Sequence, residues 1–332
     1  MKYICGLFSI KYPIIQGGMG NISNASLAAA VSNAGGLGTI GCGTMNPEQV
    51  EAIILETKGK TNNNFSLNIP INVSPYTDEL INLVFKHDIP VVSLSAGNPA
   101  PFIPLLQKKN IKVIAIVASV KHAQKAQAAG ADVLVAEGFE AAGINSNLEL
   151  TTFTLIPQIS KHVTLPVLAA GGIGNGQGVA AALMLGASGV QLGTRLIATQ
   201  EAPFHPSYKQ KLIDAMGDDT FILGRSVGQV RRVLKDPYTE KVLDLEKQGL
   251  SPMNYREMTS EVHHINGAMN GDVNNGFMNS GQVAGLIDNI PTVKVLLDGM
   301  MKDAKKQMED GLSSLSTPFM MRTSGRDQSD HY

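Results

Sequence analysis

Net charge is almost missing from this 332-residue chain: 27 Lys and Arg stand against 28 Asp and Glu, leaving -1 at neutral pH. A balanced chain lacks the electrostatic grip that nucleic acids and anionic membranes call for, so neither is an expected partner. Cysteine is scarce. Cys5 lies near the N-terminus and Cys42 in a Gly-rich stretch, which argues against a disulfide framework and for a reducing, cytoplasmic compartment. Met1–Ile10 holds one Lys and no long apolar core, so it does not read as a secretory signal. No apolar run approaches the ~20 residues of a membrane helix. No spacing of His, Cys and carboxylates resembles a zinc site. Tryptophan is absent too. Glycine, by contrast, is plentiful at 34 residues, and hydrophobic residues make up 43%, enough for a large core with many tight turns.

Short apolar runs recur with a regular beat at Ile14–Gly18, Leu37–Gly41, Phe65–Ile71, Val91–Ala96, Lys112–Ala118, Val133–Gly138, Val167–Gly172 and Gly189–Thr194. They are rich in Val, Ile and Leu and do not alternate, which suits parallel strands covered on both faces. Helical segments lie between them, one opening with Pro47 at a first-turn position. Eight strand–helix repeats over about 200 residues predict a (β/α)8 TIM barrel. An open doubly wound sheet is the rival, and the count of eight favours closure.

The barrel is expected to span residues 1–200 and 266–312. Residues 201–265 are expected to form a helical insertion or lid after the eighth strand. Residues 313–332, rich in Ser, Arg and Asp, are expected to be a flexible tail.

The strongest local signal is a pair of strand ends, Ala169-Ala170-Gly171-Gly172-Ile173 and Gly189-Val190-Gln191-Leu192-Gly193-Thr194. They fall on the seventh and eighth strands, where barrels gather backbone N–H groups and a helix N-terminus around a phosphate. The bland alternative is a pair of tight turns. Gln16-Gly17-Gly18-Met19-Gly20 ends the first strand and can let a flat ring approach the backbone; a turn with a core Met is the simpler reading. Asn68, inside an apolar strand, needs a partner for its amide, from a ligand or from neighbouring backbone. Glu137 sits where the sixth strand meets the rim, and Glu140 reads as a helix cap or a solvated side chain.

These motifs, with Ala96-Gly97-Asn98-Pro99, Glu137–Gly143, His205-Pro206 with Tyr208-Lys209, and Gly271–Gly285, occur in an order that resembles the family of nitronate monooxygenases and flavin-dependent enoyl-ACP reductase II. The resemblance runs over about residues 5–310 and implies a (β/α)8 barrel with non-covalent FMN. It implies that Gly17, Gly18 and Met19 contact the flavin ring, that Asn68 and Glu137 line its polar edge, and that Gly171, Gly172, Gly193 and Thr194 hold its phosphate. Met278 and Ser280, in the late Gly/Asn-rich loop, would close over the flavin.

One departure matters. Both branches usually carry a His after the paired glycines of the sixth-strand loop, and this chain has Ile144 there. An aliphatic side chain transfers no proton. Asn145 can offer hydrogen bonds in its place but is no general acid, so no catalytic residue is assigned. His205 and His263-His264 are weighed as substitutes, His205 as structural. Arg225, Arg231 and Arg232 read either as phosphate receivers for a nicotinamide or acyl carrier, or as a solvated face.

The expected activity is an FMN-dependent, NADH- or NADPH-linked reduction of an activated enone such as an enoyl thioester, with a small-molecule or acyl-carrier-bound substrate and a homodimer as one possible assembly. A nitronate monooxygenase, a flavin-binding protein without turnover and a phosphosugar barrel are the alternatives.

Overall fold

The computed structural model describes residues 2–316. Helix α1 (Lys2–Phe8) precedes the first barrel strand, β1 (Ile14–Gln16). Then follow α2 (Ala25–Asn33), β2 (Gly38–Gly41), α3 (Pro47–Lys60), β3 (Phe65–Pro70), α4 (Thr77–Lys86) and β4 (Val91–Ser95). Next come α5 (Ile103–Gln107), β5 (Lys112–Val117), α6 (Val120–Ala128) and β6 (Val133–Glu137). A two-residue strand, β7 (Gly143–Ile144), leads to α7 (Thr152–His162), β8 (Val167–Ala170), α8 (Gly176–Met184), β9 (Gly189–Leu192) and a short α9 (Thr194–Ile197).

Eight parallel strands run in the order β1-β9-β8-β6-β5-β4-β3-β2. The ends of that order meet through the Ile15–Leu37 bridge, with Gln16 N–H donating to Leu37 O at 2.9 Å and Leu37 N–H to Ile14 O at 3.0 Å. The result is a (β/α)8 barrel, as the strand count anticipates, and all eight expected strands are present.

Alternation along each strand sets two layers. Val133 and Val135 of β6, Ile114 of β5 and Leu168 of β8 cluster inside the barrel, whereas Leu134, Ala136, Val113 and Ala169 face the helices. Ile4 and Phe8 of α1 join the inner cluster beside Val91 and Val133, the first residues of their strands, so α1 plugs the N-terminal end. Side chains that would begin helices do so with caps: Asn24 accepts from Leu27 N–H, and Asn46 and Gln49 form a reciprocal capping box.

After the barrel come α10 (Pro206–Asp214), β10 (Thr220–Leu223), β11 (Arg231–Leu234), α11 (Pro237–Lys247), α12 (Pro252–Met258) and α13 (Glu261–Ala268). The helical insertion is there, but residues 220–234 correct the expectation in part. They form an antiparallel hairpin, and β11 also pairs with β7 through Arg231–Ile144 and Arg232–Gly143. The insertion has a small core of its own, made of Leu223, Val233, Tyr238, Val242, Tyr255 and Phe277. The chain then returns to the barrel with α14 (Val293–Ser316), which packs against α8 and α2. That helix runs past the expected start of the tail at 313; the rest of the expected tail, 317–332, lies outside the described residues. No described helix is long and apolar enough to cross a membrane.

Gly38 starts β2 against α2, where a Cβ would lie 1.9 Å from the Ala28 carbonyl oxygen. Gly59, near the end of α3, has nothing within 4 Å of the same atom. Gly38→Ala is therefore expected to destabilise by about 1–3 kcal/mol through overpacking, and Gly59→Ala to stabilise by about 0.5–1 kcal/mol through helix propensity. Urea unfolding of both variants checks the pair; equal shifts would contradict the packing.

Candidate functional site

Strand parity decides which side chains reach the mouth of the barrel. In β6 the inward positions are 133, 135 and 137, so Glu137 ends the strand pointing along the barrel interior. In β3 Ser66 and Asn68 point in while Phe65, Leu67 and Ile69 face the helices. In β9 Val190 and Leu192 face outward, which turns Gln191 inward. All three, Asn68, Glu137 and Gln191, line one cavity of about 1160 Å³ at the C-terminal ends of the strands. Gly17, Gly18, Met19, Gly171, Gly172, Gly193 and Thr194 line it as well.

The cavity floor is closely fitted. Asn68 is buried and its amide nitrogen donates to Ser93 Oγ and Ser95 Oγ, both at 3.2 Å. Inward-facing serines of β4 thus meet the cost of a buried amide. A Cβ on Gly18 would lie 2.3 Å from Asn68 Oδ1, so only glycine lets this backbone come down onto the floor.

Gly171 and Gly172 both take positive φ, +96° and +74°, and bend the chain sharply after β8. Their N–H groups find no acceptor among the described residues, and neither does that of Gly193. Thr194 Oγ1 accepts from Gly281 N–H at 2.9 Å, which leaves its own proton to donate. Nearby, Glu140 receives Thr152 N–H at 2.9 and 3.0 Å and Thr152 Oγ1 at 2.9 Å, so its carboxylate caps α7. Unpaired backbone donors beside a hydroxyl make a cradle for an anionic oxygen cluster, and the donor set fits the phosphate of a mononucleotide.

Glu137 makes no side-chain hydrogen bond among the described residues, and burial pushes its carboxyl up to about 7. It is a proton-holding group at the polar edge of the cavity.

The roof comes from the insertion and the late loop: Tyr208, Arg231, Glu261, His264, Asn279, Gly281 and Val283. Asn279 is its node. Its Oδ1 accepts from Arg231 Nη1 at 3.2 Å, its Nδ2 meets His264 Nε2 at 3.1 Å, and its carbonyl accepts from the Tyr208 hydroxyl. Burial pushes the Tyr208 hydroxyl upward and the Arg231 guanidinium downward. Burial also raises the Glu261 carboxyl, but a hydrogen bond from His264, the charge of Arg231 and the Asn21 N–H outweigh it and hold the group below its usual value.

Some expected residues do not arrive. Met278 is packed in the core, and Ser280 Oγ is buried and donates to Gly281 O at 3.1 Å; neither lines the cavity. The late loop is extended here and pairs with β11 through the Val233–Asn279 bridge, so residues on either side of Asn279 point away from it. Ile144 and Asn145 do line the cavity. Asn145 Nδ2 is committed to Ala141 O at 2.9 Å and Gly143 O at 3.2 Å, which makes it a staple of its own loop.

His205 caps α10 through Ser207 N–H. His263 stacks on Tyr238. Arg225 pairs with Glu149 at 2.7 Å, and Arg232 donates to Phe139 O, so neither of these two receives a ligand in the cavity. Cys42 is fully buried, its thiol pushed up to about 12 by burial. Glu261 carries no local motif that marks it, and Tyr208 and Asn279 lie in stretches the resemblance covers without a role assigned to them; Gln191 is marked by the apolar residues on either side of it.

A family model described as nitronate monooxygenase matches residues 2–80 and 70–303. A (3aS,4S,5R,7aS)-5-hydroxy-7a-methyl-1-oxo-octahydro-1H-indene-4-carboxyl-CoA dehydrogenase of Rhodococcus jostii (strain RHA1) is 31% identical over 348 residues, 93% of this chain and 97% of its own. A probable nitronate monooxygenase of Staphylococcus aureus (strain MSSA476) is 31% identical over 299 residues, 77% of this chain and 84% of its own. The structure of FabK from Thermotoga maritima superposes with a TM-score of 0.89 at 40% identity, covering 94% of this chain and 98% of that one.

The raised carboxyl of Glu137 has a measurable consequence. The folded state binds its proton more tightly than the unfolded chain does, so stability falls as pH rises from about 4.5 to about 7. Glu137→Gln removes that dependence. In the ligand-free protein its stability relative to wild type is expected to grow by up to about 3 kcal/mol between pH 4.5 and pH 8, read by urea unfolding. A difference that stays flat with pH would contradict the burial of this group.

Proposed function

The chain belongs to the nitronate monooxygenase family and is an oxidoreductase; from that premise we propose that it binds FMN and reduces an activated enone, such as an enoyl thioester, with NADH or NADPH as electron donor. The observation that carries the reading is the unpaired donor cradle at Gly171, Gly172, Gly193 and Thr194, set in a cavity of about 1160 Å³ that leaves room for a second reactant. Gly171, Gly172, Gly193 and Thr194 would hold the phosphate. Gly17, Gly18 and Met19 would abut the ring, and Asn68 and Glu137 would meet its polar edge. Bound FMN supplies hydride transfer, for which no protein side chain is suited.

The protein's own part is to place the acceptor and keep water out. Part of the cavity wall is small or apolar, at Ala96, Gly97, Pro99, Ile116, Ala118 and Ile144, with Asn98, His122 and Lys125 also lining it. Such a surface takes an acyl chain without leaving buried polar groups unpaired. A thioester substrate, on CoA or an acyl carrier protein, is supported by the match to a carboxyl-CoA dehydrogenase across nearly the whole chain and by the likeness to FabK, an enoyl-ACP reductase II. Oxidation of a nitronate is the second reading, favoured by the Staphylococcus aureus relative.

Absorbance of the purified protein in the flavin bands tests the cofactor, and a colourless protein that takes up no FMN would sink the proposal. Anaerobic stopped-flow mixing with NADH, NADPH and a nitronate, each separately, tests the reaction. Bleaching by a nicotinamide followed by reoxidation with an enoyl thioester is the expected result; bleaching by the nitronate alone would select the second reading. Thr194→Val removes one hydrogen bond to a charged acceptor, worth about 1.5–3 kcal/mol. FMN is therefore expected to bind about tenfold to a hundredfold more weakly in that variant by equilibrium titration, and unchanged affinity would take Thr194 out of the phosphate cradle.

A further inference from the structure

The insertion brings an imidazole to the cavity wall beside the loop that has none. His264, on α13, is 3% exposed and lines the cavity. Its ring stacks on Phe277 with centroids 5.3 Å apart. Nδ1 lies 3.3 Å from Glu261 Oε2, and Nε2 lies 3.1 Å from Asn279 Nδ2.

Arg231 fixes which way the Asn279 amide is turned. A guanidinium only donates, so the amide oxygen must face it, 3.2 Å from Nη1. The amide nitrogen then faces the imidazole, and Nε2 has to accept. Glu261, held below its usual value and so ionised, only accepts, and Nδ1 has to donate. Two partners on two different elements impose one tautomer: a neutral ring with the proton on Nδ1 and the lone pair on Nε2. The Asn279 amide also abuts Gly143, where a Cβ would lie 3.7 Å from it. The amide that meets the lone pair thus adjoins the sixth-strand loop, where Ile144 pairs with Arg231 in the sheet.

We propose that His264 is the proton-transferring residue of this cavity, its Nε2 exchanging a proton with the carbon next to a thioester carbonyl or a nitro group. In one direction the Cα–H bond breaks, its electron pair moves into the carbonyl or nitro group, and the proton forms the Nε2–H bond. The imidazolium has Glu261 as its counter-charge, and the Asn279 amide, a donor, yields its place at Nε2 to the substrate. In the other direction Nε2–H returns the proton to Cα of the enolate left by hydride addition at the β-carbon. The other charged and titratable groups that line the cavity are Glu261 on α13, Arg231 on β11 and Tyr208 on α10 from the insertion side, and His122, Lys125, Glu137 and Glu140 from the barrel side. The substrate named here rests on the proposed reaction; the tautomer does not.

Two measurements on the holoenzyme test the assignment. Side-chain 1H–15N NMR of histidine-labelled protein, with His264 assigned by its loss in His264→Gln, is expected to show Nδ1 protonated and Nε2 bare at neutral pH. A protonated Nε2 there overturns the proposal. The second is exchange of the α-proton of a saturated acyl thioester or a nitroalkane into D2O, which needs a base and no net redox change. His264→Gln is expected to slow that exchange by at least about 100-fold, and His263→Gln, whose ring sits outside the cavity on Tyr238, to leave it unchanged. Glu261→Gln keeps the imidazole but loses its counter-charge, and is expected to slow exchange as well even where His264→Gln folds poorly. Exchange as fast as wild type in a folded His264→Gln, or no exchange by wild type, overturns the proposal. Exchange by wild type without any enone-dependent oxidation of NADH or NADPH would overturn the enone reading alone and leave His264 standing.

Discussion

Closure of the barrel at Ile15–Leu37 is the constraint from which the site follows. Once the eighth strand pair is made, every strand has one face that can only point inward. The inner layer is apolar near α1, where Ile15, Leu37, Val91 and Val133 meet Ile4 and Phe8, and becomes polar toward the other end at Ser93, Asn68, Gln191 and Glu137. A gradient of this kind needs rigid parity, because a slip of one residue would send Glu137 into the helix layer and Ala136 into the cavity.

Charge is handled without surplus cations. The cradle at Gly171, Gly172 and Gly193 presents backbone dipoles rather than lysines, and the nearest arginine by sequence, Arg195, is committed to Asn289 at 3.0 and 2.6 Å. Backbone donors cost little reorganisation and cannot swing out, so they suit a ligand that stays bound through many turnovers. The one buried cation in the cavity wall, Arg231, is balanced by Glu261 and by the Phe277 ring, 5.1 Å from its guanidinium carbon.

What the sequence made legible follows from local rules. Eight Val-, Ile- and Leu-rich runs gave the strands because burial on both faces leaves no alternation to confuse with a helix. The paired glycines after β8 gave the cradle because few other residues tolerate two successive left-handed turns. The hairpin was hidden because β11 opens with Arg231-Arg232, whose charges mask a fully buried strand. Met278 and Ser280 were placed one residue out of register with Asn279, since the facing of an extended loop is set by its pairing partner and not by its own residues. His264 was one of two adjacent histidines, and only the turn of α13 decides that it, and not His263, faces the cavity.

The hairpin also explains why Ile144 belongs where it is. Its backbone pairs with Arg231, and Arg232 donates to Phe139 O at 3.1 Å, so the sixth-strand loop and the insertion are locked together at this edge. A β-branched residue suits a paired, half-exposed strand position and gives the cavity an apolar lip. The same pairing sets Arg231, and Arg231 sets the Asn279 amide that meets His264. The barrel therefore sets the cavity floor and its unpaired backbone donors, and the insertion sets the hydrogen-bond partners of His264. The two tasks fall on different stretches of chain, joined through a strand of two residues.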